Sequence, residues 1–217
     1  AVVVSRQGLP DVAVAKSPMV FVGYGVVAPE FGWDDFKGAD LRGKTVVMLA
    51  GDPPVPDPAD PGKLDANVFK GAALTYYGRW TYKYEMAAKK GASAAVIVHE
   101  TGPAGYAFDV VKASWGRENF GLSGPDEAAR HAAVDAWLTL DRAKALFTAC
   151  GLDYDALKAR AATRAFKPVP LKAAASFTVK NAIRTISSQN VIARLAGRDP
   201  ALTHEHVMYS AHWDGFG

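Results

Sequence analysis

The sequence predicts an α/β fold, a mixed β-sheet core flanked by helices, and three features predict it. Thr45–Ala50 and Ala94–His99 are continuous apolar runs of the kind that form strands buried on both faces. Between them, Tyr82–Gly91 reads as a helix with Lys89 and Lys90 in its last turn and Gly91 as its stop. The order strand, long excursion, helix, strand is that of a crossover unit, which makes the two runs neighbours in one sheet under one helix.

Taken in order, Met19-Val20-Phe21-Val22 is a β-prone run that ends in Gly23-Tyr24-Gly25, read as a strand followed by a glycine-permitted bend. The glycines do not open a dinucleotide site, because Ala28 and Pro29 follow where a phosphate-binding helix would begin. Trp33-Asp34-Asp35-Phe36 falls in a polar, glycine-rich loop before the Thr45–Ala50 strand. Gly51–Pro61 carries so many prolines that a surface loop is its default. Its aspartates read as solvated loop charges.

After Ala94–His99, the segment from Thr101 to Gly124 is too long for a connector and is rich in glycine and aromatics, which suits a partner surface or a lid. Ala133–Leu140 reads as a strand, Asp141 as the cap of a helix running to Gly151, and Asp153 as the cap of a second helix over Tyr154–Ala162. Ala173–Lys180 and Asn181–Ser187 alternate as half-buried strands do. A boundary is placed near Ser187-Ser188, followed by two further strands, Asn190–Leu195 and His206–Ala211, around a Gly197-Arg198-Asp199-Pro200 turn.

The chain of 217 residues suffices for one large domain, or for one domain and the beginning of another. With 49% hydrophobic and 22% charged residues, its composition excludes disordered and fibrous classes. No run approaches the roughly 18 apolar residues of a membrane span, and the amino terminus lacks the layout of a signal peptide. The formal charge of +3 is spread over 25 basic and 22 acidic residues without a run of one sign, so no nucleic-acid partner is expected. Cys150 is the only cysteine, which excludes an internal disulfide and a cysteine-built zinc site; beside Phe147 it reads as a buried structural thiol.

The chemistry sits at Ser210-Ala211-His212-Trp213-Asp214. Residues two apart on an extended chain face the same side, so His212 can offer a ring nitrogen to a metal while Asp214 orients the imidazole and raises its basicity. Alone, a histidine and aspartate at this spacing are common; context decides. Asn190–Gly197, a turn, and Val207–Asp214 resemble the opening of the M28 zinc metallopeptidase domain. Upstream, Val20–Gly25, the Gly32-Trp33-Asp34-Asp35 loop, Gly43–Val47 and the join Ala87–Ala92 resemble the protease-associated domain that accompanies such peptidases, in the order found in bacterial members.

The resemblance implies residues 1–187 as a protease-associated domain, with a mixed sheet or open β-barrel core, and 188–217 as the first strands of a peptidase domain. It implies His212 as a zinc ligand and Asp214 as a supporting carboxylate in the intact enzyme. It also implies a pair of zinc ions bridged by a carboxylate and a water, with a glutamate shuttling the proton to the leaving amine. Gly215 stands where many relatives carry a second histidine that is not among the usual zinc ligands. The parent is thus expected to be a secreted or periplasmic zinc aminopeptidase acting on peptides or proteins, its export signal outside this chain. A catalytic zinc needs about three protein ligands plus water. His206 lies roughly 20 Å along an extended strand from His212, so the chain itself is expected to hold no catalytic zinc and to be inactive.

The larger domain is then expected to be non-catalytic, influencing substrate access or protein interaction, with the missing peptidase domain as a partner. Tyr106, Phe108, Trp115 and Phe120 are the candidate interaction surface; the other reading places them in the core under a long loop. The rival class is an interaction module of a receptor or another non-peptidase protein.

Overall fold

The computed structural model describes residues 1–6 and 8–212. The chain divides into two units, Ala1–Ile183 and Arg184–Gly217. In chain order the first unit holds β1 (Val2–Val4), β2 (Asp11–Phe21), β3 (Val27–Ala28), β4 (Trp33–Asp34), β5 (Thr45–Leu49), α1 (Trp80–Lys89), β6 (Ala94–His99), α2 (Thr101–Ala104), α3 (Phe108–Trp115), α4 (Pro125–Ala128), β7 (Val134–Thr139), α5 (Leu140–Ala149), α6 (Tyr154–Ala161) and β8 (Val169–Lys180).

The expected α/β class is what forms: one mixed six-stranded sheet in the order β1-β7-β6-β5-β2-β8, with β3 and β4 as a separate small ribbon. The four middle strands are parallel, and the two edge strands run antiparallel to their neighbours. Every residue of β5 and β6 is buried, as their unbroken apolar runs require. Their period of two sends Val47, Leu49, Val96 and Val98 to one face, and Val46, Met48, Ala95 and Ile97 to the other.

Topology explains which helices cover which face. β5, β6 and β7 are laid down side by side, so successive crossovers of one hand put α1 and α3 on the same face, where Tyr84, Ala87, Val111 and Trp115 pack. After β7 the chain returns to the far edge to form β8, and α5 and α6 cover the opposite face with Phe147, Tyr154 and Leu157.

β2 is far longer than the run Met19–Val22 suggested. Its pairing with β8 is interrupted by register shifts between Val14 and Ser17 and between Pro18 and Val20. Pro18, which has no N–H to donate, is tolerated at such an irregularity, and the bulges bend the strand pair so that the sheet curls. The bend after β2 is as expected: Gly23 and Gly25 have φ of 61° and 66°. A Cβ on Gly25 would lie 2.6 Å from Met48 Sδ, so the position needs glycine both for its conformation and for its space.

Several expectations are corrected. Trp33-Asp34 forms β4 rather than loop. The excursion after β6 contains helices, including α3. Thr139, not Asp141, is the N-cap residue of α5, and Asp141 lies in the first turn. Asn181–Ser187 is not a strand, and neither Asn190–Leu195 nor His206–Ala211 forms one; among the described residues of the second unit the regular structure is a short 3-10 turn, Pro200–Leu202. Alternating apolar residues make a strand only when a neighbouring strand and a core take them up, and an isolated strand pair is marginal in water. Val191, Ile192, Val207 and Met208 are exposed instead. Among the described residues no helix is long and apolar enough to cross a membrane.

Candidate functional site

The parallel strands β2, β5, β6 and β7 all end at one edge of the sheet, the edge where open α/β sheets place ligands. Charged residues concentrate there. The fourth residue of α1, Lys83, is fully buried and donates from Nζ to the Tyr24 carbonyl at 2.6 Å, in the bend after β2. Burial depresses its ammonium to about 8, against the opposing pull of Asp35 and Asp52. Asp35, after β4, accepts from the Val26 amide at 2.9 Å and from the Trp33 indole at 2.8 Å. Burial lifts its carboxyl to about 7, although these bonds and Lys83 favour the ionised form.

A second group lies after β6. Glu100 accepts from Tyr154 Oη at 2.7 Å and from Lys158 Nζ at 2.5 Å, tying α6 to the end of β6. His99 is buried, its ring 5.6 Å from Tyr106, 5.4 Å from Phe108 and 5.9 Å from Trp137, with no hydrogen-bond partner at Nε2. At the β1 side of the sheet, buried Asp135 of β7 meets His131 Nδ1 at 2.8 Å. Burial alone would lower the His131 value, but the Asp135 carboxylate outweighs it and the net direction is upward.

Near-neutral titration of a lysine and an aspartate is what a reacting site needs. Here, however, both groups are spent on the frame: Lys83 holds the bend at Tyr24, and Asp35 holds the β3–β4 ribbon. Among the described residues no three His, Cys, Asp or Glu side chains come together as a metal site.

The residues singled out from sequence belong to different units of the chain. His212 lies in the second unit, exposed and outside regular structure, and Asp214 lies outside the described residues. Of the aromatic set, Trp115 is a core residue, its ring 5.7 Å from Trp80 and 5.6 Å from Tyr84, with the Arg6 guanidinium 4.6 Å above it. Tyr106 and Phe108 are half-buried against His99, and Phe120 is exposed. The buried charges were missed. Lys83 was findable, because it stands four residues before Ala87 and next to Tyr84 on the buried face of a helix.

No family model matches the chain, and no curated protein matches it. Among solved structures, an aminopeptidase from Aneurinibacillus sp. strain AM-1 is similar at 23% identity and a TM-score of 0.30, over 78% of this chain. The chain spans 27% of that enzyme's length.

Proposed function

We propose that Ala1–Ile183 is a non-catalytic domain of the protease-associated type, carried by a zinc-dependent aminopeptidase whose peptidase domain begins with the Asn190–Asp214 segment. One observation supports the non-catalytic reading: the residues that carry the resemblance in this unit all serve the frame. Gly23 and Gly25 make the bend after β2, and Asp35 accepts from Trp33 and Val26. The Gly43 amide donates to the Gly91 carbonyl at 3.0 Å, joining the entry to β5 to the exit of α1. In the second unit, Ser210–Asp214 supports the peptidase reading by its resemblance, with His212 as a zinc ligand and Asp214 as its supporting carboxylate once the remaining ligands are supplied. Such a protein would take peptides or proteins as substrates, and the first unit would act on substrate access or on protein interaction.

The reading frame that encodes this chain tests the proposal. Past Gly217 it is expected to encode an aspartate, a Glu-Glu pair and a later histidine, and its full product is expected to hold zinc and release N-terminal residues from peptides. In that product, Asp35→Asn and Glu100→Gln should leave kcat on the smallest aminoacyl substrate unchanged. A membrane span in place of those ligands, or loss of kcat in either variant at unchanged Tm, would overturn it.

A further inference from the structure

Buried polar atoms without a partner gather where β1 leaves β7. In the register of that pair Val4 stands opposite Asp135, and Ser5 and Arg6 follow directly. Ser5 Oγ, Arg6 Nε and Asp135 Oδ1 are all buried with no hydrogen-bond partner among the described residues. Such atoms are costly, and β1 is itself a half-buried strand at the edge of the sheet, so this seam is a place for local opening.

A cluster around Arg6 holds the seam. The guanidinium lies 4.6 Å from the centre of the Trp115 ring and 5.6 Å from that of Trp80, cation–π contacts with α3 and the start of α1. Its charge also reaches the His131–Asp135 pair, whose side chains meet at 2.8 Å. At Asp135, burial raises the carboxyl, against the pull of His131 and of Arg6. At His131, burial acts downward and Asp135 upward, and Arg6 adds a smaller downward pull. The other groups facing the pair are Glu127 of α4, 3.6 Å from His131 Nε2, and the Tyr84 phenol of α1, which feels the Asp135 charge. Arg130 stands beyond them, 3.9 Å from Glu127 and from Glu85.

Arg6 and His131 therefore compete for one carboxylate. A proton taken up by His131 puts a second cation beside Asp135, and a proton taken up by Asp135 removes the anion. Either one weakens the hold on Arg6, so the direction is the same whichever member of the pair titrates. Reciprocity gives the same sign: docked Arg6 disfavours a proton on the pair, so a proton on the pair disfavours docked Arg6.

We infer that β1 and Arg6 form a strap on the edge of β7, latched by Arg6 against the His131–Asp135 pair and released when that pair takes up a proton.

The test is amide hydrogen exchange in the 217-residue chain at pH 8 and pH 5.5, each rate corrected for its intrinsic pH dependence. Protection of the Val2–Val4 amides is expected to fall by about tenfold at the lower pH, while that of β6 holds. Arg6→Gln removes the latch and leaves the buried pair in place. In that variant, protection of β1 should be low at both pH values and no longer respond to the change. Equal protection of β1 at the two pH values, a fall of the same size in β6, or a fall that persists in Arg6→Gln would each overturn the inference.

Discussion

Trp33 donates its indole N–H to Asp35 at 2.8 Å, and the two residues together close the β3–β4 ribbon over a carboxyl that burial has lifted to about 7. That lift makes the ribbon a source of pH-dependent stability. Between the ordinary value of 3.8 and about 7, the folded state holds the Asp35 proton more tightly than the unfolded chain does. Stability from this group therefore falls as pH rises through that window, by on the order of 4 kcal/mol at most. Lys83, depressed from 10.5 to about 8, acts in the opposite sense: the unfolded chain binds the extra proton between those values, so stability recovers as pH rises through them. Urea unfolding midpoints from pH 4 to pH 10 are expected to pass through a minimum near neutrality. Asp35→Asn should flatten the acidic limb and leave the alkaline rise; an unchanged acidic limb would show that Asp35 is not its source.

The bend at Gly25 yields a prediction about sterics. Its φ of 66° disfavours any residue with a Cβ, and that Cβ would sit 2.6 Å from Met48 Sδ inside the core. Gly25→Ala should cost about 2 kcal/mol or more, the left-handed penalty plus the cost of moving Met48. Gly43 also has a positive φ, 73°, but a Cβ there meets nothing within 4 Å. Gly43→Ala should therefore cost only about 1 kcal/mol. Equal losses in the two variants by chemical denaturation would remove the clash with Met48 from the account.

These contrasts mark what could be read from sequence. β5, α1 and β6 were legible because unbroken apolar runs and a glycine-stopped helix are local patterns, and the parallel pairing followed from their order. The first half of β2 was hidden: Lys16, at φ 48°, sits within a register shift and breaks the alternation that Val12 and Val14 begin. The two C-terminal strands failed for the converse reason, since Val191 and Val207 have the right pattern but are exposed. The two buried aspartates were illegible because burial of Asp35 and Asp135 depends on the partners Trp33 and His131 meeting them in three dimensions.

The pair His131–Asp135 predicts a coupling that depends on pH. His131 has a raised value because the Asp135 carboxylate outweighs the effect of its own burial. A raised histidine gives stability that is complete below its unfolded value, 6.5, and is lost as pH rises through the folded one. A double-mutant cycle of His131→Ala and Asp135→Asn should give a coupling of about 2 kcal/mol at pH 6 and clearly less at pH 9. A coupling that grows with pH would mean that the pair is not held by the charged imidazole.

The two capping aspartates separate a helix start read from sequence from the one the backbone adopts. Asp153 accepts from the Ala156 amide at 2.9 Å, the bond that defines an N-cap, and so satisfies a donor that the helix itself leaves open. Asp141 carries the same side chain and precedes a similar apolar pattern, but α5 has already begun at Leu140, which leaves Asp141 in the first turn with only a dipole interaction to offer. Asp153→Ala should therefore cost about 1 kcal/mol, and Asp141→Ala no more than about half of that, in parallel unfolding curves. The reverse order would move the start of α5 to Asp141, because only a capping bond there could make that aspartate the costlier loss.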